Sequence, residues 1–162
     1  MGMPLDVEGP ITAEVFTVAR DRDHLILTGP CGPGPWLIEA GNVEHPLNTV
    51  RRIVERSIPE PVLLHSTSWR FERGAVYLTF VTVIDLDAVG DMETSLISRA
   101  ALARNTAHAA PEAIAHGQVL EHGLRHLAWL ATEDETVRST LDQGWHEILS
   151  GYVPEPFRQF DA

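Results

Sequence analysis

Arg51, Arg52, Glu55 and Arg56 fall within one short run, Val-Arg-Arg-Ile-Val-Glu-Arg-Ser. On a helix Arg52 and Arg56 stand four apart on one face, where two guanidiniums can fork onto phosphate or carboxylate oxygens without a metal. The same residues also make a solvated face with an ordinary Arg–Glu pair, and both readings stay open. Glu39, Glu44 and Glu55 are the carboxylates near this run, and they are the candidates for acid–base work or for holding magnesium. Glu44, just ahead of Pro46, equally serves as charge at a helix N-terminus. His122 and His126 stand at the i, i+4 spacing that lets two imidazoles share a metal, with His116, Glu121 or Asp85 as a third ligand. The intervening "HGLRH" lacks the glutamate of a zinc-protease motif, so a buried, hydrogen-bonded histidine pair is the competing account. Trp36 and Trp69 can stack on a planar ligand or pack into a core.

Other chemistry is thin. Cys31 is the only cysteine, so an intramolecular disulfide and a cysteine zinc site are excluded, which fits a reducing compartment. Ser66, Thr67 and Ser68 carry no Gly-x-Ser-x-Gly elbow, and no phosphate-cradling Gly-Lys loop occurs. There is no lysine, so every fixed positive side-chain charge is arginine. The net charge is −11, which predicts repulsion of nucleic acid and anionic membrane by the surface as a whole. No apolar run reaches membrane-spanning length and no secretion signal is evident, so the expectation is a cytoplasmic protein.

The elements that must position these residues are read from pattern. Residues 1–10 are a loose arm or edge segment. "ITAEVFTVAR" (11–20) is a strand, and "LILTG" (25–29) returns beside it as a hairpin. The Gly-Pro alternation of 29–35 makes a loop. "WLIEA" (36–40) is a short strand. Pro46 opens a helix whose apolar stripe is Leu47, Val50, Ile53 and Val54, and Pro59 ends it. Residues 62–71 and 75–86 form a hairpin around Glu72-Arg73-Gly74. The stretch 87–110 is undecided, with a short helix or strand near 95–103. A helix runs from Pro111 to about 131, another spans 133–151, and the remainder is an extended tail. At 162 residues this is one α+β domain.

The order of these elements resembles a Nudix domain over roughly residues 12–131. Trp36-Leu37-Ile38-Glu39-Ala40-Gly41, then Asn42-Val43-Glu44, stand where that family has an aromatic, an apolar pair and a Pro-Gly-Gly turn. With four residues deleted, near one helical turn, the box aligns on Arg51-Arg52-Ile53-Val54-Glu55-Arg56-Ser57-Ile58. Arg51 then keeps the family arginine, Ile53 the buried apolar position and Glu55 one carboxylate. Two further carboxylates become Arg52 and Arg56, and the closing glycine becomes Ile58. The resemblance implies a Nudix-like α/β/α sandwich with a mixed sheet and an added C-terminal helix, as one domain over 1–162 with 133–162 as extension and tail.

Two functions follow from the resemblance. In the first, the domain is degenerate: it lacks metal-dependent pyrophosphohydrolase activity, needs no cofactor, and binds a small anionic, nucleotide-like ligand or a protein partner. Trp36, Arg51, Arg52, Arg56 and Trp69 would then line the ligand site, with no metal. In the alternative, a divergent hydrolase recruits Glu39, Glu44 and Glu55 for magnesium and cleaves a nucleoside-diphosphate-linked substrate. Nucleic-acid polymers and membranes are not expected partners. A homodimer through Trp145, Ile148, Leu149, Tyr152 and Phe157 is left open.

Overall fold

Two apolar stripes of different period build the molecule, one along strands and one along helices. The computed structural model describes residues 10–41, 44–97, 111–154 and 158–160. Its strands are β1 (Ile11–Asp21), β2 (His24–Thr28), β3 (Trp36–Ala40), β4 (Leu63–Glu72), β5 (Ala75–Ile84), β6 (Ser95–Ile97) and β7 (Arg158–Phe160). The helices are α1 (Pro46–Ser57), α2 (Leu86–Val89), α3 (Pro111–Glu133), α4 (Glu135–Thr140) and α5 (Gln143–Leu149). The seven strands among the described residues join one sheet in the order β6-β2-β1-β5-β4-β7, with β3 also paired to β1. The centre of the sheet is parallel, β1 against β5, and the hairpins β1–β2 and β4–β5 are antiparallel.

Alternation along the central strands sends every second side chain to one of two cores. Ala13, Val15, Ala19, Phe80 and Ile84 meet Val50, Val54 and Ile58 of the α1 segment. Phe16, Val18, Val81 and Val83 meet Val119, Leu120, Leu124 and Leu127 of α3, with Val137, Leu141, Trp145 and Leu149 extending that layer through α4 and α5. The sheet is therefore covered on both faces, as the predicted sandwich requires. Gly123 sets the depth of α3: a Cβ there would come within 2.8 Å of Val81 Cγ2.

Local chemistry fixes the boundaries. His45 caps α1, its Nδ1 accepting from Leu47 N at 3.3 Å, and Pro46 takes the first turn, where its missing N–H is no loss. Arg73 and Gly74 both take positive φ in the β4–β5 turn, the conformation a two-residue hairpin needs and one that glycine adopts freely. The helix expected over 133–151 is instead two. Asp134 Oδ1 accepts from Val137 N at 2.9 Å, and Asp142 Oδ1 accepts from Trp145 N at 3.0 Å, so each aspartate starts its own short helix. Between them Leu141 is extended and buried. Within the undecided stretch α2 and β6 form, and residues 98–110 lie outside the described residues, as do 1–9. Part of the expected tail is β7, added in parallel to the edge of β4.

Candidate functional site

The outer face of α1 is the site that local folding assembles most directly. Because Val50, Val54 and Ile58 are turned into the core, Arg51, Arg52, Glu55 and Arg56 are left exposed together. With Asn48 they line an open depression of about 330 Å³. Its lining carries three guanidiniums and one carboxylate. Arg52 Nη2 donates to Glu44 Oε2 at 3.1 Å, and the same oxygen accepts from Thr49 Oγ1 at 3.1 Å. Glu44 is thus held at the start of the helix by two donors. Arg51, Glu55 and Arg56 make no ion pair among the described residues. Arg52 therefore pairs with Glu44 rather than with Glu55.

Glu39 is set apart from the other two carboxylates. It alternates with Ile38 and Ala40, which are buried on the α1 side, so Glu39 is exposed on the opposite face of the sheet. Trp36 is half-buried and packs against the core beneath α1. Trp69, also half-buried, sits opposite Leu78, whose side chain joins the same core. Neither tryptophan lines the arginine depression. Cys31 is exposed and lines a separate depression with Asp91, Met92 and Glu93, with no histidine among its described lining residues.

His122 and His126 are buried, at 3% and 2% exposure, with ring centroids 6.5 Å apart. His65 from β4 stacks on His126 at 5.4 Å, and Trp129 stacks on it at 5.7 Å. Burial lowers the His65 pKa, with Asp134 pulling it partly back. The ring planes of His65 and His126, and of His122 and His126, lie within 22° of parallel. Among the described residues no three of His, Cys, Asp and Glu are placed to hold a metal ion.

A buried ion pair on the α3 side of the sheet went unread in the sequence. Glu14 on β1 is 1% exposed, and Arg70 on β4 is 9% exposed. Arg70 Nη1 donates to Glu14 Oε2 at 2.6 Å, Nη2 donates to Oε1, and Nε donates to Glu72 at 3.1 Å. Thr79 Oγ1 adds a longer bond to Glu14 at 3.4 Å, and the Arg70 guanidinium lies 4.7 Å from the Tyr77 ring centre. The Glu14 hydrogen bonds, outweighing burial, raise the Arg70 pKa above its ordinary value. The available signal was a lone glutamate inside the apolar run Ile-Thr-Ala-Glu-Val-Phe. Its partner lies 56 positions away, beyond the reach of any local pattern.

No protein-family model matches the sequence, and no curated protein matches it. Solved structures do. The chain is similar to Shewanella oneidensis NrtR complexed with a 27mer DNA, at 19% identity and a TM-score of 0.50, over 90% of this chain and 77% of that one. It is similar to the crystal structure of Shewanella oneidensis NrtR at 18% identity and a TM-score of 0.51, over 90% and 79% of the two chains. The NUDIX domain of NrtR complexed with ADP ribose aligns at 16% identity and a TM-score of 0.36, over 69% of this chain and 84% of that one. At these identities the likeness concerns architecture. The fold is Nudix-like: an α+β sandwich with a mixed sheet, as its element order implied.

One expectation is corrected. The net charge of −11 was read as excluding nucleic-acid polymers, yet a protein of this architecture is seen in complex with DNA. The physical reason is that binding follows the local potential of a patch, which a sum over the chain does not report. As for membranes, among the described residues no helix is long and apolar enough to cross one.

Proposed function

We propose that this Nudix-like chain binds a small anionic, nucleotide-like ligand on the exposed arginine face of α1, without magnesium-dependent hydrolysis. The observation that carries this reading is the depression lined by Arg51, Arg52, Glu55 and Arg56. Magnesium needs several oxygen ligands, with carboxylates offsetting its charge. Here Glu55 is the only carboxylate among the described residues of the lining, Glu44 is engaged by Arg52 and Thr49, and Glu39 lies on the other face. Arginine offers donors only, so it opposes a cation and suits an anion. Phosphate oxygens can take charge-assisted bonds directly from Arg51 and Arg56, which are unpaired among the described residues.

Calorimetric titration of ADP-ribose into the metal-free chain tests this. Binding weakened about tenfold or more in Arg51→Ala or Arg56→Ala is expected, the scale of losing one charge-assisted contact. Equal binding by wild type and both variants would remove the site from α1. A DNA duplex titrated in parallel addresses the polymer that NrtR binds. Duplex binding abolished by the same arginine variants would replace the small ligand with DNA at this face.

A further inference from the structure

The α3 face of the sheet changes character along its length. From Val18 and Phe16 on β1 it passes to Glu14 and Thr12, and from Val83 and Val81 on β5 to Thr79 and Tyr77. Thr79 lies opposite Ser68, and Tyr77 opposite Arg70, so a polar floor spans three strands beside an apolar core. Over this floor is a recess of about 170 Å³, bounded by Glu14, Arg70, Tyr77, Leu37, Glu72 and His116 among others. Removing two charges from water is costly, and an apolar pair of the same volume would stabilise this end of the sheet about as well. Stability alone therefore does not account for an ion pair at the floor of an open recess.

Charge and hydrogen-bonding capacity decide what fits. The lining holds two carboxylates, Glu14 and Glu72, and two guanidiniums, Arg70 and Arg73, so it favours neither anion nor cation. Three N–H groups of Arg70 are used by Glu14 and Glu72, leaving two donors, and Glu14 Oε1 keeps a spare acceptor position. A ligand must then donate and accept at adjacent positions. A vicinal diol does this, since each hydroxyl is both donor and acceptor. The apolar sides of Tyr77 and Leu37 complement the C–H faces of a sugar ring. At roughly 30 Å³ per water, the volume matches about six waters or one small ring. We infer that this recess binds a neutral, polyhydroxylated ring of pentose size, with its diol across the Glu14–Arg70 edge. The recess lies on the opposite side of the sheet from the α1 depression, so the two sites are separable.

Saturation-transfer NMR on the full chain, with methyl ribofuranoside and its 2-deoxy counterpart as probes, tests the inference. Transfer to the riboside ring protons is expected, with about tenfold weaker binding of the deoxy probe, which lacks the diol. Glu14→Gln should abolish transfer. Because that change risks the fold, Leu37→Trp is the second variant: Leu37 is 58% exposed, so filling the mouth there leaves the core intact. Arg52→Ala should leave transfer unchanged. No transfer from the riboside, equal transfer from both probes, or transfer that persists in Leu37→Trp would each overturn the assignment.

Discussion

Glu14 and Arg70 form a bidentate pair at the edge of an otherwise apolar layer, and their energetics are asymmetric. Removing Glu14 would leave the buried Arg70 guanidinium with only the partly exposed Glu72 as ion-pair partner among the described residues, at a cost of up to about 3–5 kcal/mol. Glu14→Gln should therefore shift the urea midpoint strongly downward. Glu14→Leu combined with Arg70→Met should recover most of the loss, and a double variant as unstable as the single one would contradict this account. His65 predicts a pH effect. Its folded-state pKa is lowered, chiefly by burial, so the unfolded chain binds the proton more tightly. The stability contributed by neutral His65 is complete above the unfolded value, about 6.5, and is lost as pH falls from there toward the folded pKa. His65→Phe should flatten the decline in stability between about pH 7 and pH 5, the range set by the ordinary imidazole value. An unchanged slope would place the titration elsewhere. At this scale the sequence was legible for which residues share an exposed helix face, as with Arg51, Arg52 and Arg56. It was silent where the partner comes from a distant strand, as with Glu14 and Arg70, or His65 and His126.

Among the elements, α3 and the two helices that follow make the sharper tests. Gly123→Ala sets helix propensity against packing. Alanine gains about 1 kcal/mol in a helix interior, while overpacking costs typically about 1–3 kcal/mol. The contacted atom is Cγ2 of Val81, a stiff branched side chain on a central strand, so net destabilisation is expected in thermal unfolding. A raised melting temperature would mean that α3 shifts outward at little cost. Asp142→Ala removes the cap of α5 and should cost about 1 kcal/mol, the usual value of an N-cap. Its pairing with Arg20 at 3.0 Å adds little, because the aspartate side chain is 63% exposed. Asp142→Asn, which can still cap, should retain most of the stability; equal losses in both variants would assign the effect to charge instead. The strands and α1 were legible from period and punctuation, since Pro46, Pro59 and Gly74 act on the backbone locally. The break at Leu141 was not, because acidic residues along 133–142 fit a continuous helix until two of them are seen as caps.

For the whole molecule, the net charge does not report the local potential of a patch, while the element order informs the fold. The chain is acidic in sum, yet it presents a cationic helix face, and a protein of the same architecture is seen with DNA. Letters of the box were weak guides, since no family model matches and identity to the solved neighbours stays at 19% or below. Order and alternation carried the fold, because both cores depend on which residues face inward rather than on their identity. The arginine-rich face of α1 carries the functional reading, because its charge sets which sign of ligand charge the face favours. That claim is tested most directly by incubating the purified chain with ADP-ribose and magnesium and separating the products by chromatography. The account predicts no AMP and no ribose 5-phosphate above a protein-free control. Magnesium-dependent release of both, lost in Glu55→Gln, would contradict it and make the chain a working hydrolase.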